Sequence, residues 1–128
     1  MQMNNVSLIG RLVHDPELKK TQEGRAYTQF NVAINRYMSQ AQKEEKKQEG
    51  KSTADFPRIV AFGKTAENCC KYLQKGAMVS VIGKVTTSSY ENNAGDMIYT
   101  TDITADRVTF LEPSNSEYRK TPLREDYA

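Results

Sequence analysis

Five segments with strand alternation, a glycine inside two of them, and one stretch of helical period between the third and fourth predict an all-β chain. The expected architecture is a five-stranded barrel with one short helix. A glycine within a long strand marks a bulge or sharp bend, which lets that strand curl and pair with two neighbours. At 128 residues the chain suits one domain with a real core and is too short for two ordinary ones.

Residues 5–14, NVSLIGRLVH, place Val6, Leu8 and Leu12 on one side and Ile9 and Val13 on the other, with Gly10 as the interruption. Asp15-Pro16 ends that strand, and 18–25 reads as a hairpin connection with Gly24 available for a positive φ. The segment 26–37 turns Phe30, Val32 and Ile34 inward and Gln29, Asn31, Asn35 and Tyr37 outward. Residues 38–54 have no strong apolar period and suit a long mobile hairpin loop, with a short solvated helix as the alternative reading.

A strand over 55–63 leads into 64–76, where Ala66, Cys69, Cys70 and Leu73 fall at helical spacing and Gly76 is placed to end the helix. The segment 77–90 sends Val79, Val81 and Val85 one way and Lys84, Thr86, Ser88 and Tyr90 the other, with Gly83 inside it. Residues 91–96 form a turn, and 97–111 is the last strand. From 112 the period is lost, so residues 1–112 are expected as the domain and 113–128 as a disordered tail. Five strands with one helix between the third and fourth describe an OB-fold barrel; an RRM would need two helices.

The stretch 55–66, DFPRIVAFGKTA, carries the strongest chemical signal. Strand parity puts Phe56, Arg58, Val60 and Phe62 on one face and Ile59 and Ala61 on the other. The second face can line a core by itself. That leaves two rings and a guanidinium as a platform for stacked bases and phosphate, which is what binding single-stranded nucleic acid requires. The competing reading is a strand buried on both faces.

Composition restricts the function classes. Lys+Arg 18 against Asp+Glu 16 gives a formal +2, so net charge makes no case for a polyanionic partner, and a phosphate-binding groove must come from local placement of cations. No apolar run approaches a membrane span, and the N-terminus lacks the pattern of a signal peptide, so a cytoplasmic setting is expected. Cys69 and Cys70 are adjacent, a spacing that suits neither zinc nor a redox pair, and both read as reduced helix residues. Only His14 could act as a neutral-pH base, and its neighbour Asp15 points to the opposite strand face, so no enzyme, metal or cofactor is expected.

The chain resembles the bacterial single-stranded DNA-binding protein family, SSB, over residues 1–112. The resemblance rests on NNVSLIGRLVHDPEL at 4–18, VAINR at 32–36, ADFPRIVAFGKTAENCCKYLQKG at 54–76, VIGKVTTSSYENNAG at 81–95 and IYTTDITADRVTFLEP at 98–113. It implies an OB-fold that assembles as a homotetramer and coats single-stranded DNA in replication, recombination and repair. By position, Phe56, Phe62 and Tyr90 match the family's base-stacking aromatics. Arg11, Arg58, Lys64, Lys75 and Lys84 match or neighbour its basic groove positions, and Arg36, Tyr37 and Thr86 complete the candidate set.

Three departures stand out. The family usually has an aromatic two residues after the pair Asn35-Arg36, where this chain has Met38, with Tyr37 one place earlier and so on the opposite face. Thr86, Thr87, Ser88 and Ser89 precede Tyr90 where the family often carries Arg or Lys. The end, EPSNSEYRKTPLREDYA, is short and nearly neutral, whereas many members finish in an acidic tip that recruits replication or repair proteins. Recruitment by that route is not expected, and a phage or plasmid member is one reading of the source, with host origin left open. The alternative function on the same fold is binding RNA or a replication-restart partner.

Overall fold

Alternating apolar residues produce a first strand over Val6–Leu12 (β1) in a computed structural model that describes residues 2–36, 39–50 and 53–112. Tyr37, Met38 and the tail 113–128 lie outside the described residues. After β1 come Lys19–Lys20 (β2) and Ala26–Asn35 (β3), then a helix, Gln40–Gln48 (α1). Two short strands follow, Ala54–Asp55 (β4) and Arg58–Phe62 (β5), and a second helix, Gly63–Tyr72 (α2). Two long strands, Met78–Glu91 (β6) and Met97–Glu112 (β7), end the described chain.

The pairing runs in a ring. β1 pairs antiparallel with β6, β6 with β7, β7 runs parallel to β5, β5 pairs with β3, and β3 returns to β1 through Arg11↔Ala33 and Leu12↔Val32. This is an OB-fold-like, β-rich arrangement with a five-strand hydrogen-bonded ring and helical elements. Glycine is required where strands of the ring cross closely. A Cβ at Gly10 would lie 2.8 Å from the Ala33 carbonyl oxygen, and one at Gly83 only 2.1 Å from that of Thr104. Near Gly83 the ladder also steps from Ile82↔Arg107 to Gly83↔Ala105, which leaves Asp106 as the extra residue of a bulge.

Inside the ring, Phe30, Val32, Ile59, Ala61, Val79 and Val81 are fully buried, and α2 adds Ala66 and Cys69. Each large side chain removed from water contributes about 1.5–3 kcal/mol. Among the described residues the one buried polar side chain, Thr28, is satisfied by donating to the Glu17 carbonyl at 2.8 Å. Burial pushes the Cys69 thiol up to about 12, with the neighbouring Cys70 adding to the shift, so it stays a protonated core residue. No helix among the described residues is long and apolar enough to cross a membrane.

The structure corrects the expectation in four places. Among the described residues there are two helices and not one. Part of the segment expected as a loop is α1, started by Ser39, whose hydroxyl accepts from the Gln42 backbone while the Gln42 side chain accepts from the Ser39 N–H. The second correction concerns α2, which stops at Tyr72 with Leu73 already extended. Gly76, at φ +90°, instead turns the chain into β6, its N–H donating to the Leu12 carbonyl at 2.8 Å.

Third, Pro57, which has no N–H, splits the strand expected over 55–63 into β4 and β5, although Ile34↔Asp55 and Asn31↔Arg58 keep one register against β3. Fourth, Val85 is 40% exposed despite sharing parity with Val79 and Val81. The pairing of β1 with β6 ends at Val6↔Gly83, so no third strand covers that side of Val85.

Candidate nucleic-acid interface

The register of β3, β5, β6 and β7 sets one outer face. Residues directly opposite in a ladder share a side of the sheet. Lys84, Thr86, Ser88 and Tyr90 on β6 therefore stand with Thr104, Asp102, Thr100 and Ile98 on β7. On the other side of β7, Val60 pairs with Thr104, which brings Arg58 and Phe62 onto the same face, and β3 continues it with Tyr27, Gln29 and Asn31.

Arg58 reaches across to β7, where its Nε donates to Asp102 Oδ1 at 2.6 Å and its Nη2 to Oδ2 at 2.9 Å. This is the two-pronged geometry in which a guanidinium also takes phosphate. The hydrogen bond to Asp102 raises the Arg58 pKa above its ordinary value; burial works against this, and the charges of Asp102 and Tyr90 add to it. Thr86 Oγ1 lies 2.9 Å from Thr104 Oγ1 and donates weakly to the Asp102 carbonyl at 3.4 Å, so the hydroxyl is engaged within the sheet. Lys84 is exposed beside this cluster, and Tyr90 is 56% exposed.

The two phenylalanines differ. Phe56 is 52% exposed, and its carbonyl accepts from Asn31 Nδ2 at 3.0 Å, which fixes the backbone just before Pro57. Phe62 is half-buried. Its ring centroid is 6.3 Å from that of Tyr27, and the Arg25 guanidinium lies over it at 4.2 Å, a cation–π contact. Arg25 is held there by a turn in which its N–H donates to Thr21 Oγ1 and Gly24 takes φ +87°.

Other candidates lie apart from this face. Arg11 turns to the far end of β6 from Tyr90, donating to the Gly76 carbonyl and to Glu112, each at 3.0 Å. Lys75 is next to that contact, its backbone N–H bound to Asp15 Oδ1 at 2.7 Å and its side chain exposed. Lys64 is exposed in the first turn of α2. Arg36 pairs with Asp55 at 2.7 Å one residue before Phe56, and that guanidinium holds the Asp55 carboxyl below its usual range. Tyr37 lies outside the described residues.

Sequence reasoning missed Arg25, Tyr27, Asn31 and Asp102 as parts of this face. Tyr27 shares parity with Gln29 and Asn31, so the alternation already placed it outward. Its meeting with Phe62 depends on the β3–β5 register, as the Arg58–Asp102 pair depends on β5 running parallel to β7. As for catalysis, His14 lines a groove of about 440 Å³ with Asp15, Glu17, Lys19 and Gln29. Among the described residues no group of three or more His, Cys, Asp or Glu is placed to hold a metal ion.

Comparison with known proteins adds sequence likeness over the whole described domain. Residues 3–111 match the Single-strand binding protein family. The chain is 40% identical over 126 residues to Single-stranded DNA-binding protein 1 of Staphylococcus aureus strain MSSA476, a match covering 98% of this chain and 76% of that protein. It is 44% identical over 114 residues to the Single-stranded DNA-binding protein of S. aureus strain MRSA252, covering 89% and 69% respectively. With the Single-stranded DNA-binding protein of Halalkalibacterium halodurans the identity is 42% over 115 residues, covering 90% of this chain and 64% of that one.

Proposed function

Because the chain belongs to the Single-strand binding protein family, we propose that it binds and protects single-stranded DNA, without strong sequence preference, in replication, recombination and repair. Bases stack on Phe56 and Tyr90, and on Phe62 after Arg25 gives way or joins the stack. Lys84 and Arg58 meet phosphates on the same face, with Arg36 and Lys64 at its margins and Thr86 bracing the sheet beneath. Arg11 and Lys75 serve a second stretch of the strand at the far end of β6. The observation that carries this reading is the juxtaposition of exposed Tyr90 with Lys84 and the Arg58 fork on one sheet face.

In this proposal the five-strand ring is the closed barrel of an OB-fold, residues 1–112 form the binding domain, and the protein works as a cytoplasmic homotetramer. Self-association has surface to use: among the described residues, Val6–Gly10 of β1 pair with β6 alone, and Ile9 is 54% exposed.

The test is competition of single-stranded DNA against duplex DNA and RNA over a series of salt concentrations, with the mass of the free protein measured by light scattering. Single-stranded DNA should win clearly over duplex, because a stacking platform cannot reach paired bases. Equal affinity for duplex would sink the reading, and preference for RNA would move it to the alternative on the same fold.

A further inference from the structure

All three arginines of the candidate set carry a built-in carboxylate. Arg11 pairs with Glu112 at 3.0 Å, Arg36 with Asp55 at 2.7 Å and Arg58 with Asp102 at 2.6 Å. The lysines differ: among the described residues Lys64, Lys75 and Lys84 are exposed and form no ion pair. A carboxylate and a phosphate offer a guanidinium the same pair of acceptor oxygens, so on one edge of the fork they exclude each other.

The Arg58 pair is the one where this matters most. The Asp102 side chain is only 14% exposed while that of Arg58 is 39% exposed, so the acid lies under the cation, within the sheet face. A phosphate that takes the Nε–Nη2 edge must displace Asp102. It then leaves a largely buried carboxylate without its partner, a state that costs free energy. A phosphate that settles instead on the remaining Nη1 meets a cation whose field is already cancelled at close range. Either route discounts the contribution of Arg58.

We infer that Asp102, and more weakly the exposed Asp55, act as internal competitors of phosphate that lower the affinity and the salt sensitivity of this face for single-stranded DNA. The inference rests on the function proposed above and concerns how strongly that same face binds. Its consequence is a protein whose phosphate contacts come mainly from lysines, with arginines that orient and brace but release few counterions.

The experiment is equilibrium titration of the full chain with an oligothymidylate across a salt series, comparing the parent with Asp102→Asn, Asp55→Asn and the double variant Arg58→Gln/Asp102→Asn. Asp102→Asn should bind about two- to fivefold more tightly at low salt, matching the worth of a partly exposed ion pair. Its slope of log affinity against log salt should steepen by roughly 0.7, the value for one more phosphate neutralised on a single strand. Asp55→Asn should move the same way by less. The double variant, which lacks the freed guanidinium, should lose both the tightening and the steeper slope of Asp102→Asn.

Thermal melting of each variant separates this from a structural role. If Asp102→Asn does not fold, Asp55→Asn, in a pair about half exposed on both sides, carries the test alone. Unchanged or weaker binding with an unchanged slope, in variants that melt like a parent that itself binds, overturns the inference. A parent that shows no preference for single strands over duplex overturns the function reading instead, whatever the variants do.

Discussion

β6 and β7 form one antiparallel ladder from Met78↔Glu112 to Glu91↔Met97, interrupted by bulges, yet its two halves behave differently. In the half near Met78, Val79, Val81, Val108 and Phe110 are buried, because β1 flanks β6 and α2 approaches β7. In the half near Tyr90, Met97 and Tyr99 are 50% and 77% exposed, and among the described residues no further strand pairs with that end. Side-chain parity is kept along β6, so the difference is not one of local structure. Backbone pairing makes a strand, but a third element is what makes one side of it a core. The uncovered half keeps its aromatics in water, where they can meet a ligand.

This contrast can be broken most severely in the covered half. Phe110→Ala should cost about 3–5 kcal/mol of folding free energy, because a cavity is left behind. Denaturant unfolding measures it directly, and a loss below 1 kcal/mol would mean that the covered half is not core. At the junction, Gly83→Ala places a methyl against the backbone of Thr104 and Ala105, contacts that no side-chain rotation relieves. Its cost should be about 1–3 kcal/mol, read by the same unfolding curve. An unchanged midpoint would show that the close approach of β6 to β7 at Gly83 is looser than its geometry indicates.

The smallest effect lies at Lys84, which follows Gly83 and shares a face of β6 with Tyr90. Lys84→Gln should leave the melting temperature in place and make the slope of log affinity against log salt shallower by roughly 0.7. A lowered melting temperature with an unchanged slope would place Lys84 in the structure of the ribbon and not in its ligand contacts.

The same contrast explains what the sequence made legible. The alternation of Phe30, Val32 and Ile34 gave the core side of β3 directly, since β3 has partners on both edges and its inward side is covered. The same rule applied to Val85 failed, because parity assigns a side and not what covers it. The first helix, the alternative reading for 38–54, is signalled by the capping box of Ser39 and Gln42, while the lack of apolar period there favours a loop. The candidate face was legible wherever one strand carries it, as with Arg58 and Phe62. It was hidden wherever two strands make it: Asp102 under Arg58, and Tyr27 with Arg25 on Phe62, are separated in sequence and joined only by register.

The central claim is that Phe56 and Tyr90 are exposed groups that stack on bases and are not part of the core. The most direct test measures single-stranded DNA affinity and melting temperature together for Phe56→Ala, Tyr90→Ala and Ile59→Ala. Each aromatic variant should lose roughly 1–3 kcal/mol of binding, the worth of one base on one ring, with melting nearly unchanged. Ile59 is fully buried, and Ile59→Ala should lose about 2–5 kcal/mol of stability while its folded fraction binds like the parent. Aromatic variants that melt early and bind as well as the parent would contradict the account.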